Sequence, residues 1–220
     1  MKNSILLLSL LTLVLIGCNK EEIITEPEPF GFCGTADPYS LPNQPDSYFV
    51  YHWTSIDSTG TESPMSLIDT TYIIGDTTIN GNQFTVYWEN FMGGQYNYSY
   101  KRDSLGYIVS PNGYIYYTYS DFGTPFNHSS QPGFWDQYSI ALENPTPVTV
   151  PAGTFSTFIQ QLHLYSPTGA AITDCGDSVV NFNYHYASGI GQISAQTEFF
   201  NLIQTACSYR ERKLVDYYIP

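Results

Sequence analysis

The chain has 220 residues, of which 42% are hydrophobic and 12% are charged, and its formal net charge at pH 7 is -13. A chain this acidic lacks the clustered Lys and Arg that nucleic-acid binding requires, and its charge also opposes docking of the folded part on anionic lipid. The 20 Tyr, 13 Phe and 3 Trp residues supply ample material for the core of one domain.

The N-terminus carries a secretory leader. Lys2 provides a positive charge, and Ile5–Ile16 is an apolar run of about 12 residues, too short for a bilayer core that needs about 20. The run ends in Leu15-Ile16-Gly17-Cys18, which resembles the lipobox of bacterial lipoproteins. The resemblance implies that residues 1–17 are a signal peptide and that Cys18 receives the acyl chains that anchor the protein in a membrane. The alternative is an ordinary leader whose cleavage site happens to contain a cysteine.

Residues 18–45 are predicted to be the lipidated N-terminus and a flexible spacer. Lys20-Glu21-Glu22 resembles the short signal that sends Bacteroidetes lipoproteins to the outer face of the outer membrane. The remainder is rich in Glu, Pro, Asn and Gln and has no hydrophobic period, so it cannot bury enough surface to fold alone. We therefore expect a protein held off the outer membrane and exposed at the cell surface, with an inward-facing periplasmic lipoprotein as the alternative.

Residues 46–220 have the length of a single domain. The first half alternates β-type segments with turn signals, of which Asn80-Gly81 is the strongest hairpin signal. The predicted strands of this half are 48–53, 67–79 with an interruption at Gly75, 84–88, 96–100, 107–110 and 114–119.

The pattern lapses between Ser120 and Pro147, where aromatic residues such as Trp135 are predicted to plug the core. Strands are predicted again over 148–165, 179–186, 189–200 and 208–218. Since no window of eleven or more residues has a capped helical period, we expect at most one or two short helices, near 135–143 or 183–188.

The fold class that follows is all-β, with antiparallel meander strands forming a curved sheet, an incomplete barrel or a sandwich. Ile74–Gly81 with Phe84 and Tyr87 resembles a hairpin of secreted Bacteroidetes proteins of unknown function. Val150–Phe155, followed by Tyr186–Ile193, resembles a strand pair of uncharacterised cell-envelope proteins. Some of those are related in shape to lipoprotein carriers, with a curved sheet and an apolar concave face. The resemblance implies a fold and a location, and it brings no catalytic residue.

The cysteines predict one disulfide. Cys33, Cys175 and Cys207 remain beside Cys18 in the mature chain, and an exported protein occupies a compartment that permits disulfides. We expect a Cys175–Cys207 bond because both residues lie inside the folded region, whereas Cys33 lies near the spacer and is the alternative partner of either. The cysteine and histidine spacings match no zinc pattern, so we expect neither a metal nor a cofactor.

Catalysis is not expected either. We interpret His52, His163 and His185 as hydrogen-bonded histidines within strands, and His128 as an exposed loop residue. No Gly-x-Ser-x-Gly elbow and no prominent acidic pair supports a hydrolase. Tyrosine is a favoured strand residue, although its ring also stacks on sugars.

The sequence therefore predicts a non-catalytic lipoprotein of the outer membrane with a ligand-binding role or a structural or accessory role. Its expected partners are the membrane that holds its lipid and either a sugar, an apolar ligand or an outer-membrane protein complex. The alternatives are a hydrolase of secreted carbohydrate or peptide polymers and a carbohydrate-binding module.

Cys18→Ser tests the lipobox. We expect the variant to remain unprocessed or to leave the membrane fraction, because serine does not accept the thiol-linked lipid. Cell fractionation and intact-mass spectrometry measure both outcomes, and Cys33→Ser, which keeps the lipobox, is the control. A cleaved Cys18→Ser protein that stays with the membrane and carries the mass of the lipidated form would contradict the prediction.

Overall fold

The computed structural model describes residues 41–172, 176–197 and 209–220, and every helix or strand element within these ranges is a β-strand. The strands are β1 (Tyr48–Ile56), β2 (Glu62–Ile79), β3 (Asn82–Glu89), β4 (Asn97–Ser104), β5 (Tyr107–Val109), β6 (Ile115–Thr118), β7 (Phe126–Gln131), β8 (Trp135–Val150), β9 (Gly153–Tyr165), β10 (Val179–Ala187), β11 (Gly191–Gln196) and β12 (Tyr209–Tyr218).

All twelve strands belong to one antiparallel sheet, in the order β6-β5-β4-β3-β2-β1-β12-β11-β10-β9-β8-β7. Strands that follow each other in sequence pair with each other, except β6 and β7, which form the two edges of the sheet. In addition, the first strand, β1, pairs with the last, β12. The predicted all-β single domain with antiparallel meander strands is therefore confirmed.

The sheet curls until its edges approach each other. Tyr117 of β6 contacts Phe158 of β9 and Tyr186 of β10, with ring centroids 5.5 and 4.1 Å apart. These strands are far apart in the order of the sheet, so contact between them requires strong curvature. The result is a nearly closed, barrel-shaped sheet, and the inner face holds the core.

A side chain closes the seam between the edge strands β6 and β7. The Ile115 amide donates a hydrogen bond to Asn127 Oδ1 at 3.1 Å, and Asn127 Nδ2 donates one to the Ile115 carbonyl oxygen. The carboxamide thereby takes the place of a peptide group. Asn127 has a φ of 51°, a left-handed conformation that asparagine tolerates better than most residues.

Residues 120–147, which were expected to be irregular, consist largely of strands β7 and β8. The prediction of short helices near 135–143 or 183–188 is wrong. Residues 135–143 belong to β8 and residues 183–188 lie largely in β10. Along β8, Ser139 and Ala141 are buried. Tyr138, which precedes Ser139, is only partly buried and stacks on His163 of β9, with the ring centroids 4.9 Å apart. The sequence of β8 does not show the apolar alternation typical of a strand, because its inward positions carry small or polar side chains.

The turn chemistry behaves as predicted at the β2–β3 hairpin. Asn80 and Gly81 have φ values of 51° and 80°, which suit a tight hairpin turn. The interruption at Gly75 is a local shift in register between β2 and β3, and Gly75 itself has a φ of 135° that a side chain would oppose.

Asn127→Gly tests the seam. The variant removes both seam hydrogen bonds but still permits a left-handed backbone. We expect the free energy of unfolding to fall by about 1–3 kcal/mol and the Ile115 amide to exchange faster with solvent. Denaturant titration and hydrogen exchange measure these effects.

The control is Asn183→Ala, because the Asn183 carboxamide accepts a hydrogen bond from Gln161 Nε2 at 2.9 Å, away from the seam. This variant should leave exchange at Ile115 unchanged. Equal protection of Ile115 in Asn127→Gly and in the natural protein would mean that the seam does not depend on this side chain.

Candidate functional site

A cavity of about 580 Å³ lies inside the curled sheet beside the seam, and we call it the seam cavity. It is bounded by β6 and β7 on one side and by the inner face of β8 to β11 on the other. Its described lining residues are Asn112, Gly113, Tyr114, Tyr116, Asn127, His128, Ser129, Gln137, Ser139, Gln160, Leu162, Tyr184, Tyr186 and Gln192.

The lining of the seam cavity is polar and aromatic, and it lacks formal charge. Among the described lining residues, five are carboxamides, four are tyrosines and two are serines, and none is Asp, Glu, Lys or Arg. A charged ligand would lose hydration there without gaining an opposite charge, which is costly. The cavity therefore suits an uncharged ligand that forms many hydrogen bonds with the lining side chains.

Small side chains on β8 create the space. In the sheet register, Gln160 of β9 lies between Ala141 of β8 and Tyr184 of β10. Two residues further along β9, Leu162 pairs with Ser139 of β8. Because Ser139 and Ala141 are short, their strand leaves volume above the inner face that large apolar residues would fill.

Gln160 is the unusual residue of the seam cavity. Its side chain is 4% exposed, and its Oε1 atom is buried without a hydrogen-bond partner among the described residues. A buried acceptor that is left unmatched costs about 1–3 kcal/mol. The next residue on the strand behaves differently, since Gln161 Nε2 donates to Asn183 Oδ1.

A second cavity of about 320 Å³ adjoins the seam cavity and shares Tyr116, Tyr186 and Gln192 with it. Gln192 connects the two. Its Oε1 accepts a hydrogen bond from Arg212 Nε at 2.8 Å, and its Nε2 donates one to the Tyr186 hydroxyl at 3.2 Å. We call this space the charged cavity, because Arg212, Lys101 and Glu89 also line it.

Each charged side chain that lines this second cavity has a partner of opposite charge. Arg212 Nη1 lies 3.5 Å from the fully buried Asp69 carboxylate, which also accepts hydrogen bonds from Trp53 Nε1 at 2.8 Å and from the Gly93 amide at 3.1 Å. The Arg212 guanidinium also lies over the Tyr51 ring, 4.8 Å from its centroid. These partners stabilise a buried cation that would otherwise be unfavourable.

Lys101 and Glu89 form the other pair, at 3.3 Å. Burial acts to raise the pKa of Glu89, but the Lys101 ammonium and a hydrogen bond from Ser99 outweigh it and hold the pKa below its ordinary value. The carboxylate is therefore ionised at neutral pH.

The interior tyrosines remain protonated at physiological pH. Burial raises the pKa of Tyr51 to about 12 and that of Tyr116 to about 12, and it raises the pKa of Tyr186 further. Their hydroxyl groups therefore stay neutral hydrogen-bond donors and acceptors.

A third cavity, of about 330 Å³, lies between the β2–β3 hairpin and β5–β6. We call it the hairpin cavity. Its lining is mostly apolar, although Arg102 and Asp121 also contribute to it; the large apolar members are Ile79, Phe84, Val109, Ile115 and Phe126. It suits an apolar group better than the seam cavity does.

The outer face carries a row of aromatic residues across five strands. The sheet register aligns Tyr218, Tyr48, Tyr72, Trp88 and Tyr98. Four tyrosines thus lie on a wet sheet face, where their amphipathic rings are favourable.

The cysteines singled out in the sequence, Cys18, Cys33, Cys175 and Cys207, lie outside the described residues. The lipidation of Cys18 and the Cys175–Cys207 disulfide therefore stay predictions.

The four histidines differ in their exposure and in their hydrogen bonds. His52 and His128 are exposed, and His128 lines the seam cavity on β7 rather than a loop. His185 Nδ1 lies 3.2 Å from Thr157 Oγ1, as expected of a hydrogen-bonded strand histidine. His163 differs, because its Nε2 is buried without a hydrogen-bond partner among the described residues. Burial lowers the pKa of both His163 and His185.

Sequence reasoning missed Gln160, Ser139 and Gln192. A signal was present at Gln160, since it is a polar residue between Phe158 and Leu162 at inward positions of one strand. A polar residue at the centre of an apolar period marks a buried hydrogen-bonding position.

Within the described ranges, no three His, Cys, Asp or Glu side chains cluster as a metal site, and no helix there is long and apolar enough to cross a membrane.

No known family model and no curated protein matches this sequence. Two solved structures are similar to this chain. One is described as a putative exported protein with a YmcC-like fold from Bacteroides fragilis, with 13% identity, coverage of 83% of this chain and 100% of that chain, and a TM-score of 0.46. The other is described as a putative lipoprotein from Parabacteroides distasonis, with 11% identity, coverage of 84% and 100%, and a TM-score of 0.46. Similarity at this level identifies neither a site nor an activity.

Arg212→Met tests the buried ion pair. We expect the free energy of unfolding to fall by about 3–5 kcal/mol, because the variant leaves the Asp69 carboxylate buried without its cation. Denaturant titration followed by tryptophan fluorescence measures the change. The control is Lys213→Met, because Lys213 pairs most closely with Glu62, which is 53% exposed, and lies 3.8 Å from Glu211. It should cost about 0–1 kcal/mol, since solvent reaches the closer pair. Equal losses in the two variants would contradict a special role for Arg212.

Proposed function

We propose that the protein is a lipid-anchored protein of the cell envelope whose barrel-shaped domain binds an uncharged small ligand in the seam cavity without transforming it. The observation that carries the proposal is the Gln160 Oε1 atom, which has no hydrogen-bond partner among the described residues and lies in a cavity without a charged side chain among its described lining residues. A buried acceptor of this kind favours a ligand that donates a hydrogen bond to it.

The dimensions of the seam cavity support a binding role. Its volume of about 580 Å³ lies within the range of about 300–1,000 Å³ that is typical of small-molecule sites. The seam offers a path to it, since Asn127 closes the sheet there and also lines the cavity. Breaking two side-chain hydrogen bonds is a smaller cost than separating two fully paired strands.

The state of the interior charges supports binding rather than hydrolysis. The buried Asp69 carboxylate is engaged by Arg212, and the half-buried Glu89 carboxylate is engaged by Lys101. A hydrolase acting on a ligand in the seam cavity would need an acid or a base directed at that ligand. Neither carboxylate lines the seam cavity.

The location rests on the N-terminal sequence. Leu15-Ile16-Gly17-Cys18 supports a lipid anchor, and Lys20-Glu21-Glu22 supports exposure at the outer face of the outer membrane. A spacer up to residue 45 would hold the binding domain away from the lipid surface. The ligand would then be met on the outside of the cell.

The hairpin cavity supports a second candidate, the binding of an apolar ligand. Its lining by residues such as Phe84, Val109 and Phe126 would favour an acyl or aromatic group. Both candidates are binding functions, and they differ in which cavity a ligand fills.

Ser139→Leu tests binding in the seam cavity by filling part of it. The full-length protein in detergent is mixed with fractions below 3 kDa from the envelope of the source cells, and the melting temperature is measured. A ligand at 100 times its Kd stabilises the folded state by about 2.7 kcal/mol, which corresponds to a rise of about 5–10 °C. We expect one fraction to give this rise in the natural protein and to lose it in Ser139→Leu.

The matched control is Ser156→Leu, the same change at an exposed strand position, which should keep the response. Val109→Trp fills the hairpin cavity instead. If Val109→Trp removes the response and Ser139→Leu keeps it, the apolar candidate is correct. If no fraction stabilises the natural protein, small-ligand binding is wrong.

A further inference from the structure

We propose that the ligand of the seam cavity is a neutral pyranose unit, one hydroxyl group of which donates a hydrogen bond to Gln160 Oε1. This inference rests on the proposed function, because it names the class of ligand for the same cavity. The unit is either a free oligosaccharide or the end of a longer glycan, and the chemistry that recognises it is the same.

The first argument is the combination of groups around the cavity. A pyranose presents hydroxyl groups around its edge and C–H groups on its faces, so it needs hydrogen-bonding partners at the edge and apolar contact above or below. The seam cavity supplies carboxamides such as Gln137 and Gln160 together with tyrosine rings such as Tyr184 and Tyr186. A purely apolar ligand would leave these amides unmatched, which is unfavourable.

The second argument is the position of Gln160 beside an aromatic ring. Gln160 and Tyr184 are directly opposite each other in the β9–β10 register, where Cβ atoms lie about 4.5–5.5 Å apart. A sugar ring that contacts the Tyr184 side chain therefore places its edge near the Gln160 carboxamide. The buried Oε1 atom can accept a bond but cannot donate one, so the ligand must bring the hydrogen.

The third argument is that the walls are held in place before any ligand arrives. The Tyr186 ring stacks on Tyr117 at 4.1 Å and on Phe158 at 5.7 Å, and its hydroxyl accepts a hydrogen bond from Gln192. Gln192 is fixed in turn by Arg212. A preorganised wall loses little side-chain entropy on binding.

The absence of Asp, Glu, Lys and Arg from the described lining residues sets the selectivity. A uronic acid or a sugar phosphate would carry a negative charge into a site without a cation. In addition, the chain has a net charge of -13, which repels anions at longer range. Neutral sugars are therefore preferred over acidic sugars of the same shape.

The experiment measures binding to the full-length protein in a detergent without a sugar headgroup, by calorimetry or ligand-observed NMR. The probes are the methyl glycosides of glucose, galactose, mannose and N-acetylglucosamine, neutral tetrasaccharides of the same sugars, and methyl glucuronide as the charged counterpart of methyl glucoside. We expect at least one neutral probe to bind, and its acidic counterpart to bind at least about tenfold more weakly. Comparable binding of the monosaccharide and the tetrasaccharide indicates a single sugar or chain end, whereas tighter binding of the tetrasaccharide indicates a longer glycan.

Gln160→Met identifies the residue responsible, because methionine keeps the length of the side chain and removes its polar atoms. We expect the affinity for the neutral probe to fall about tenfold to a hundredfold. We also expect the melting temperature without ligand to rise by about 3–6 °C, because an unmatched buried acceptor is gone. Gln161→Met, one residue away on the opposite face of β9, should keep the affinity and should not raise the melting temperature.

The results separate this inference from the proposed function. If an envelope fraction stabilises the protein and Ser139→Leu abolishes that effect, while no neutral sugar binds, the cavity is a binding site for another class of ligand and the pyranose inference is overturned. If a sugar binds equally well to Gln160→Met and to the natural protein, the assignment of Gln160 is overturned. Failure of both the fractions and the sugars overturns the proposed function as well.

Discussion

The pairing of β1 with β12 is the contact on which the rest of the domain depends. It joins two meanders of six strands, β1–β6 and β7–β12, that would otherwise be separate sheets. Its residues are distant in sequence, so forming it requires closure of a loop of almost the whole domain. Buried residues of both strands, including Trp53 and Leu214, supply apolar burial that offsets this cost.

The same pairing produces the polar interior. It places Arg212 of β12 opposite Trp53 of β1, and both of these side chains contact the buried carboxylate of Asp69 on β2. The guanidinium then reaches Gln192 on β11, which contacts Tyr186 on β10. A chain of hydrogen bonds thus runs from one meander into the other and ends at the wall of the seam cavity.

The sheet is one row of strands that has curled until its ends meet, and this geometry explains why the cavities lie where they do. The main-chain pairing that joins all other neighbours gives way at the β6–β7 seam to the carboxamide of Asn127. Tyr117 beside the seam fills the interior against Phe158 and Tyr186, but short side chains on β8 leave the neighbouring volume open. The core is therefore packed where Phe49 of β1 and Leu214 of β12 lie in one cluster, whereas open space remains beside Arg212 of β12 and next to the edge strands.

The sequence by itself determined the β class, the antiparallel meander and tight turns such as Asn80-Gly81, because alternation and turn chemistry are local properties. It also predicted the leader and Cys18, which depend on a contiguous motif. It did not determine β7 and the first half of β8, since inward Ser139 and Ala141 do not produce an apolar alternation. The environment of Gln160 was decided by the tertiary structure alone. Its Oε1 atom lies at a cavity, without a hydrogen-bond partner in the described part of the chain, only when curvature brings β6 towards β9 and β10. This curvature is a property of the whole sheet.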